Sequence, residues 1–162
     1  MIKRISKIAL LSAMAFYCLL AVIGNISDYH ANFPAVVRVL QMQDIFPHST
    51  IAYRAIKSPE LHHCAFICIM FFEGLSALLC AFGAFQLLRV VKGSSEAFNR
   101  AKGWGIAGLT VGFLTWQVLF MSIAGEWFGM WMSPMLNPAI TTAFQIFITM
   151  LVVLIYLTHK DD

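Results

Sequence analysis

Few side chains in this sequence could do chemistry, and Glu73 is the most informative of them. It is the one formal charge between Glu60 and Arg89 in an otherwise apolar stretch. Counted from an apolar helix that begins near Leu61, it lies roughly 18 Å deep at 1.5 Å per residue, which places it near the middle of a bilayer. A carboxylate there costs about 3 kcal/mol on insertion scales, so it should face other helices and not lipid. Two roles remain open: an acid that holds a proton or small polar ligand, or a neutral or hydrogen-bonded group that fixes packing. No second acid shares its depth to complete a relay. Its own face carries Ala77, Cys80 and Ala84, small residues that let another helix approach. The same rise arithmetic puts Ser12, Thr110 or Thr115, and Thr149 near its level. Tyr17, Gln117 and Gln145 fall roughly 10–12 Å below the outer surface, where they could form one hydrogen-bonded layer across three helices. Packing specificity is the simpler account of that layer, and a polar solute path the sharper one.

Metal chemistry is suggested by His62, His63, Cys64 and Cys68, with His30 and His48 in the preceding segment. Cys64 and Cys68 are one helical turn apart. However, no histidine lies well inside an apolar run, which speaks against a haem held by two histidines. The doublet also lacks a second ligand pair at fixed spacing. No metal is expected, and His62, His63 and Cys64 are the weak candidates. Cys18 and Cys80 fall inside apolar runs, so the cysteines form no disulfide framework. The nine methionines are scattered, as packing residues are. No nucleophile–base pair, phosphate loop or pair of converging acids is present, so no catalytic residue is assigned and no enzyme is expected.

The elements that position these residues follow from composition. Sixty per cent of positions are apolar, 12% are charged and the mean hydropathy is +0.78. A soluble domain carries roughly 45–50% apolar and about 25% charged residues, so this chain is expected to be an integral membrane protein. Apolar runs, three free of charge and the second broken only by Glu73, predict four spans, at about 8–27, 61–88, 103–125 and 139–158, the last opening beside Pro138. Ala13-Met14-Ala15 resembles a cleavage signature but lies inside the first run, which therefore reads as a retained anchor. Gly105, Gly108 and Gly112 repeat at helical spacing and mark a close-packing face on the third span. The predicted fold is an all-α, four-transmembrane-helix bundle forming one membrane domain, 1–162.

Cation placement gives orientation. Lys3, Arg4, Lys7, Arg89, Lys92, Arg100, Lys102 and Lys160, eight of the eleven, fall on one side, against Arg38, Arg54 and Lys57 on the other. Both termini are expected on the cytoplasmic side. The net charge of +3 then serves orientation, and no nucleic-acid partner is expected. A compact polar hairpin around Gly93-Ser94-Ser95 joins the second and third spans. The outer segment between the first two spans should carry a short interfacial helix, with Val36, Val37, Val39, Leu40 and Met42 following Asn32 and Pro34. The second outer turn is dense in large aromatics: Glu126, Trp127, Phe128, Met130 and Trp131 are candidates for partner docking, the alternative being an ordinary interfacial belt. Glu126 is expected to pair with Arg54 or Arg38.

Taken together, Asn25-Ile-Ser-Asp28-Tyr29 with Asn32-Phe33, Tyr53-Arg54-Ala55-Ile56, Glu73, Phe98-Asn99 and Gly125-Glu126-Trp127-Phe128 with Met130-Trp131 and Ser133 resemble the bacterial small integral membrane proteins known as domain of unknown function 2165. The resemblance spans nearly the whole length and implies four helices, with no substrate, cofactor or catalytic residue. The functional expectation is a non-catalytic accessory subunit of a larger respiratory or transport complex in a bacterial inner membrane. It would have bound lipid and other membrane subunits as partners. The alternative is a small proton- or solute-binding bundle using Glu73, and a haem- or metal-handling protein ranks third.

Overall fold

The computed structural model describes residues 1–161. It is all-α, with no strand among the described residues. Four helices are long and apolar enough to cross a membrane. The first is α1, Ile2–Ser27. A second helix, α2, covers Tyr29–Leu40, and a single 3-10 turn follows at Ala52–Arg54. The second span is α3, Pro59–Arg89, started by the Ser58 side chain, which accepts from the Leu61 N–H, and by Pro59 in its first turn. A short α4, Ser95–Arg100, sits inside the expected hairpin, capped by Ser94 accepting from the Ala97 N–H. The third span is α5, Gly103–Leu114, which runs on as a π-helix through Thr115–Trp127. Its wider turns show in the Phe128 N–H donating to the Ile123 carbonyl five residues back, at 3.0 Å. A 3-10 turn at Met130–Met132 leads to α6, Asn137–Thr158.

The observed helices cover the expected spans, with α1 beginning at Ile2, ahead of the expected start at 8, and two further differences stand out. The third span is only half α-helical. The helix in the long connection begins at Tyr29 and runs through Pro34, because Tyr29 and Phe33 stack on α3 and hold its first turns.

α1 and α3 run antiparallel, as do α3 and α5, and α6 closes the bundle against α5. Gly83 and Gly105 lie so close that a Cβ on Gly83 would overlap the Gly105 backbone, and Gly108 fits against Cys80 in the same way. These glycines let two backbones touch, which in lipid replaces the hydrophobic drive that water would supply. Leu11, Cys18, Cys80, Leu87, Leu109 and Met150 fill the interior and are fully buried. Phe16, Phe71, Leu78, Phe85 and Ile155 are exposed around the outside, an apolar girdle suited to acyl chains and not to water. Arg4 and Asp161 are paired, so both ends of the described chain lie at the same end of the bundle. That end is called the terminal end below, and the opposite one the loop end.

Candidate functional site

At the loop end, α2 lies across the first turns of α3. Tyr29 and Phe33 stack on His63, the Phe33–His63 ring centroids 4.1 Å apart, and Tyr29 also packs on Phe66. The helix stops in a Schellman turn: the Gln43 N–H donates to the Arg38 carbonyl and the Met42 N–H to that of Val39. Met42 takes the left-handed position, φ 53°, where glycine is usual. Its side chain is buried beside Leu40 and Phe128, and that burial offsets the conformational cost.

Arg38 donates from Nε and Nη2 to Asp44 at 2.5 and 2.6 Å, and the Ser133 hydroxyl donates to the same carboxylate. The Arg38 hydrogen bond, followed by that from Ser133, holds the Asp44 carboxyl below the usual carboxylate range. This clamp joins the end of α2 to the turn before α6. Arg54 spans the other gap, with its guanidinium 4.3 Å from the Trp127 ring centroid and donating to the Trp127 carbonyl. The expected pairing of Glu126 with Arg38 or Arg54 is therefore not made. Asp44, six residues from Arg38, reaches it first; Arg54 prefers an aromatic face and a carbonyl, and Glu126 is left exposed.

The aromatic turn divides into two sets. Phe128 and Met130 are buried inside the molecule and cannot serve as docking residues as expected. Gly129, at φ 67°, reverses the chain between them. Trp127 and Trp131 stay about half exposed, at 52% and 46%, with Phe46 packed edge-on against Trp131 and the exposed Tyr53 ring 5.6 Å from the Arg54 guanidinium.

Glu73 is buried and faces α1, where Asn25 donates to it at 2.9 Å. The small residues of its face, Ala77, Cys80 and Ala84, are buried with it as expected. Asn25 is the third residue from the end of α1, so on that helix the carboxylate lies within about 5 Å of the helix end. On α3 it stands midway along the 31 residues, because the first turns of α3 run past the end of α1 to meet α2. Asn25, the partner, was not singled out from the sequence, since one asparagine near the end of a span carries no periodic signal.

The expected polar companions do not gather. Ser12 is exposed on the far side of α1. Thr110, Thr115 and Thr149 each donate back to the carbonyl four residues earlier in their own helix. Tyr17 packs on Trp116, and among the described residues no hydrogen bond joins it to Gln117 or Gln145, so the three-helix layer is absent. The backbone carbonyl one turn back is always in reach, and it outcompetes a distant side chain for each threonine. A seam the sequence reading missed runs beside Glu73: the Ser76 hydroxyl donates to the Gly108 carbonyl and meets the Cys18 thiol.

His62 and His63 point apart. The His62 ring is buried on the Ile56 carbonyl at 2.8 Å, while His63 meets the Tyr29 hydroxyl at 2.6 Å. Cys64 and Cys68 are exposed on α3. Among the described residues no group of three His, Cys, Asp or Glu side chains could hold a metal ion.

The terminal end carries a second polar constellation that charge counting alone did not resolve. Arg4 binds Asp161 at 2.6 Å and donates to the carbonyls of Val91 and Gly93. Lys7 and Lys102, both buried, converge on the His159 carbonyl, where the end of α6 favours positive charge. Asn99 exchanges two hydrogen bonds with the Asp161 backbone, and Phe98 is fully buried beneath the Arg4 guanidinium. The Arg4 hydrogen bond is the main reason the Asp161 carboxyl sits below its ordinary range.

Neither the curated proteins nor the solved structures contain a match to this chain. A family model described as predicted small integral membrane protein (DUF2165) matches residues 3–160. With four apolar helices of spanning length and an apolar outer girdle, the chain belongs to that family of small integral membrane proteins.

Proposed function

We propose that the chain is a non-catalytic accessory or stabilising subunit of a larger respiratory or transport complex in a bacterial inner membrane. It acts as a single membrane domain with both termini in the cytoplasm, as the eight-to-three division of cations favours. The observation that carries the reading is the loop-end aromatic set. Trp127, Trp131 and Tyr53 are exposed together, yet each sits on a fixed support, either the Arg54 stack or Phe46. Rigid tryptophan and tyrosine with little side-chain entropy left to lose are what partner interfaces use as anchors. Isolation of tagged chain in mild detergent tests this. Stoichiometric membrane partners that disappear in the Trp127→Ala, Trp131→Ala double variant are expected, and wild-type chain recovered alone overturns it.

A second reading rests on Glu73 and Asn25. A buried carboxylate with one neutral partner is suited to holding a proton or a small polar solute. Under it, Glu73→Gln abolishes activity in an assembled protein. Under the subunit reading the same variant assembles and functions, because glutamine keeps an acceptor for Asn25.

A further inference from the structure

Beneath α2 the structure holds a half-open cavity of about 280 Å³. Its walls are Val36 and Val39 from α2, Ile69 from α3, Leu119 and Ile123 from the π-helix, and Ala139 from α6. Ile69, Leu119 and Ile123 belong to spanning helices, so the cavity lies at the edge of the hydrocarbon layer and reaches into it. The widened backbone of Thr115–Trp127 forms one wall, and such segments recur at functional sites. The opposite wall, α2, is held by the Schellman turn and by the Arg38–Asp44–Ser133 clamp.

The lining has almost no polar atoms, and a buried water needs two to four polar partners, so water is a poor occupant. The volume approaches the roughly 300 Å³ lower end of cavities that hold small apolar ligands. A second hollow shares Ala35 and Leu136 with the first and leads past them to Arg38. Asp44 occupies Nε and Nη2 of that guanidinium, and among the described residues Nη1 donates to nothing. An apolar chamber inside the membrane, continued by an open hollow that ends at a cation, is complementary to an amphiphile with a hydrocarbon tail and an anionic head.

We propose that this cavity binds one acyl chain of a phospholipid from the leaflet at the loop end, with the phosphate beside Arg38. The site holds a bilayer lipid in place as a structural ligand, and it does so whether or not the chain joins a larger complex.

The full chain, reconstituted in vesicles of phosphatidylethanolamine and phosphatidylglycerol, tests this with a trace of phosphatidylethanolamine carrying a diazirine in one acyl chain. After photolysis, peptide mapping should find adducts on Ile69, Leu119 and Ile123 several-fold above those on the outward-facing Leu78, Phe85 and Ile155. Ala124→Phe, which fills the chamber, should lower the cavity adducts several-fold and leave those on Leu78 unchanged. Adducts spread evenly over all apolar faces overturn the site, and the wild-type map alone decides should the filled variant not fold. A diacylglycerol probe lacking phosphate should label the cavity several-fold less, and equal labelling overturns the contact with Arg38. Retention of an isoprenoid in place of phospholipid, seen by mass spectrometry of the detergent-purified protein, also overturns the assignment.

Discussion

The two ends of the bundle are closed by different physics. At the terminal end Arg4, Lys7, Lys102, Asn99 and Asp161 tie the start of α1, the turn after α3, α4 and the end of α6 with short polar contacts around a fully buried Phe98. Just inside it, Gly83 and Gly105 press α3 against α5. At the loop end most of the contact is apolar or aromatic, pinned by the Arg38 clamp and by Arg54 against Trp127 and Tyr53, with a cavity inside and indoles left outside. A network of directional bonds, with every buried polar side-chain atom among the described residues satisfied, leaves little to offer a partner. An apolar layer with exposed anchors does offer something. The contrast is between a polar, interlocked end and an apolar end with exposed indoles.

The comparison breaks most severely if the interlocked end tolerates bulk. Gly83→Leu should prevent assembly of α3 on α5, because the added side chain meets backbone that cannot move aside. Overpacking costs typically 1–3 kcal/mol even where neighbours yield, and the readout is loss of monodisperse protein on size exclusion in detergent. Arg4→Met should come next, lowering stability by about 2 kcal/mol, as for a lost hydrogen bond to a charged group. Thermal unfolding in detergent measures it. Met42→Gly sharpens the loop-end account: it relieves about 1 kcal/mol of left-handed strain but gives up a buried side chain worth about 1.5–3 kcal/mol, so a net loss near 1 kcal/mol is expected. A gain in stability would show that the buried thioether contributes little.

Acid should act on both ends in the same sense. Asp161 and Asp44 have carboxyls held below their ordinary value in the fold, so the stability they confer is present above the unfolded value of about 3.9 and is lost as pH falls through the lower folded values. Unfolding temperature should be flat with respect to these two groups from neutral pH to about pH 5 and should drop below about pH 4. Arg4→Met should remove the Asp161 share of that drop and leave the Asp44 share. The smallest effect is expected for Trp131→Ala, within about 0.5 kcal/mol of wild-type stability as for surface changes. Its consequence should appear in partner recovery and not in the fold.

Much of this was legible from residue order. Three runs without charge and one broken only by Glu73 pointed to four spans, since each must bury its backbone polarity in its own helix while presenting apolar side chains to lipid. The glycine spacing at Gly105, Gly108 and Gly112 marked the close-packed face that α5 does present. The small face of Glu73 was also correct. Depth counted along each helix separately does not show which groups meet. Counting along α3 gave no partner for Glu73; the register of α1 on α3 put Asn25 opposite it. Gln117, Gln145 and Tyr17 were aligned by the same counting and do not meet.

Sequence alone thus decided the medium, the number of crossings and the division of charge between the two sides, because lipid selects on local composition. Tertiary structure alone decided which polar groups meet: Arg38 with Asp44 and Ser133, Arg54 over Trp127, Arg4 with Asp161, and two lysines on one carbonyl. Those choices depend on helix register and on which half of an aromatic turn faces inward. Both are set by side chains far apart in the chain, whose contacts no local pattern encodes.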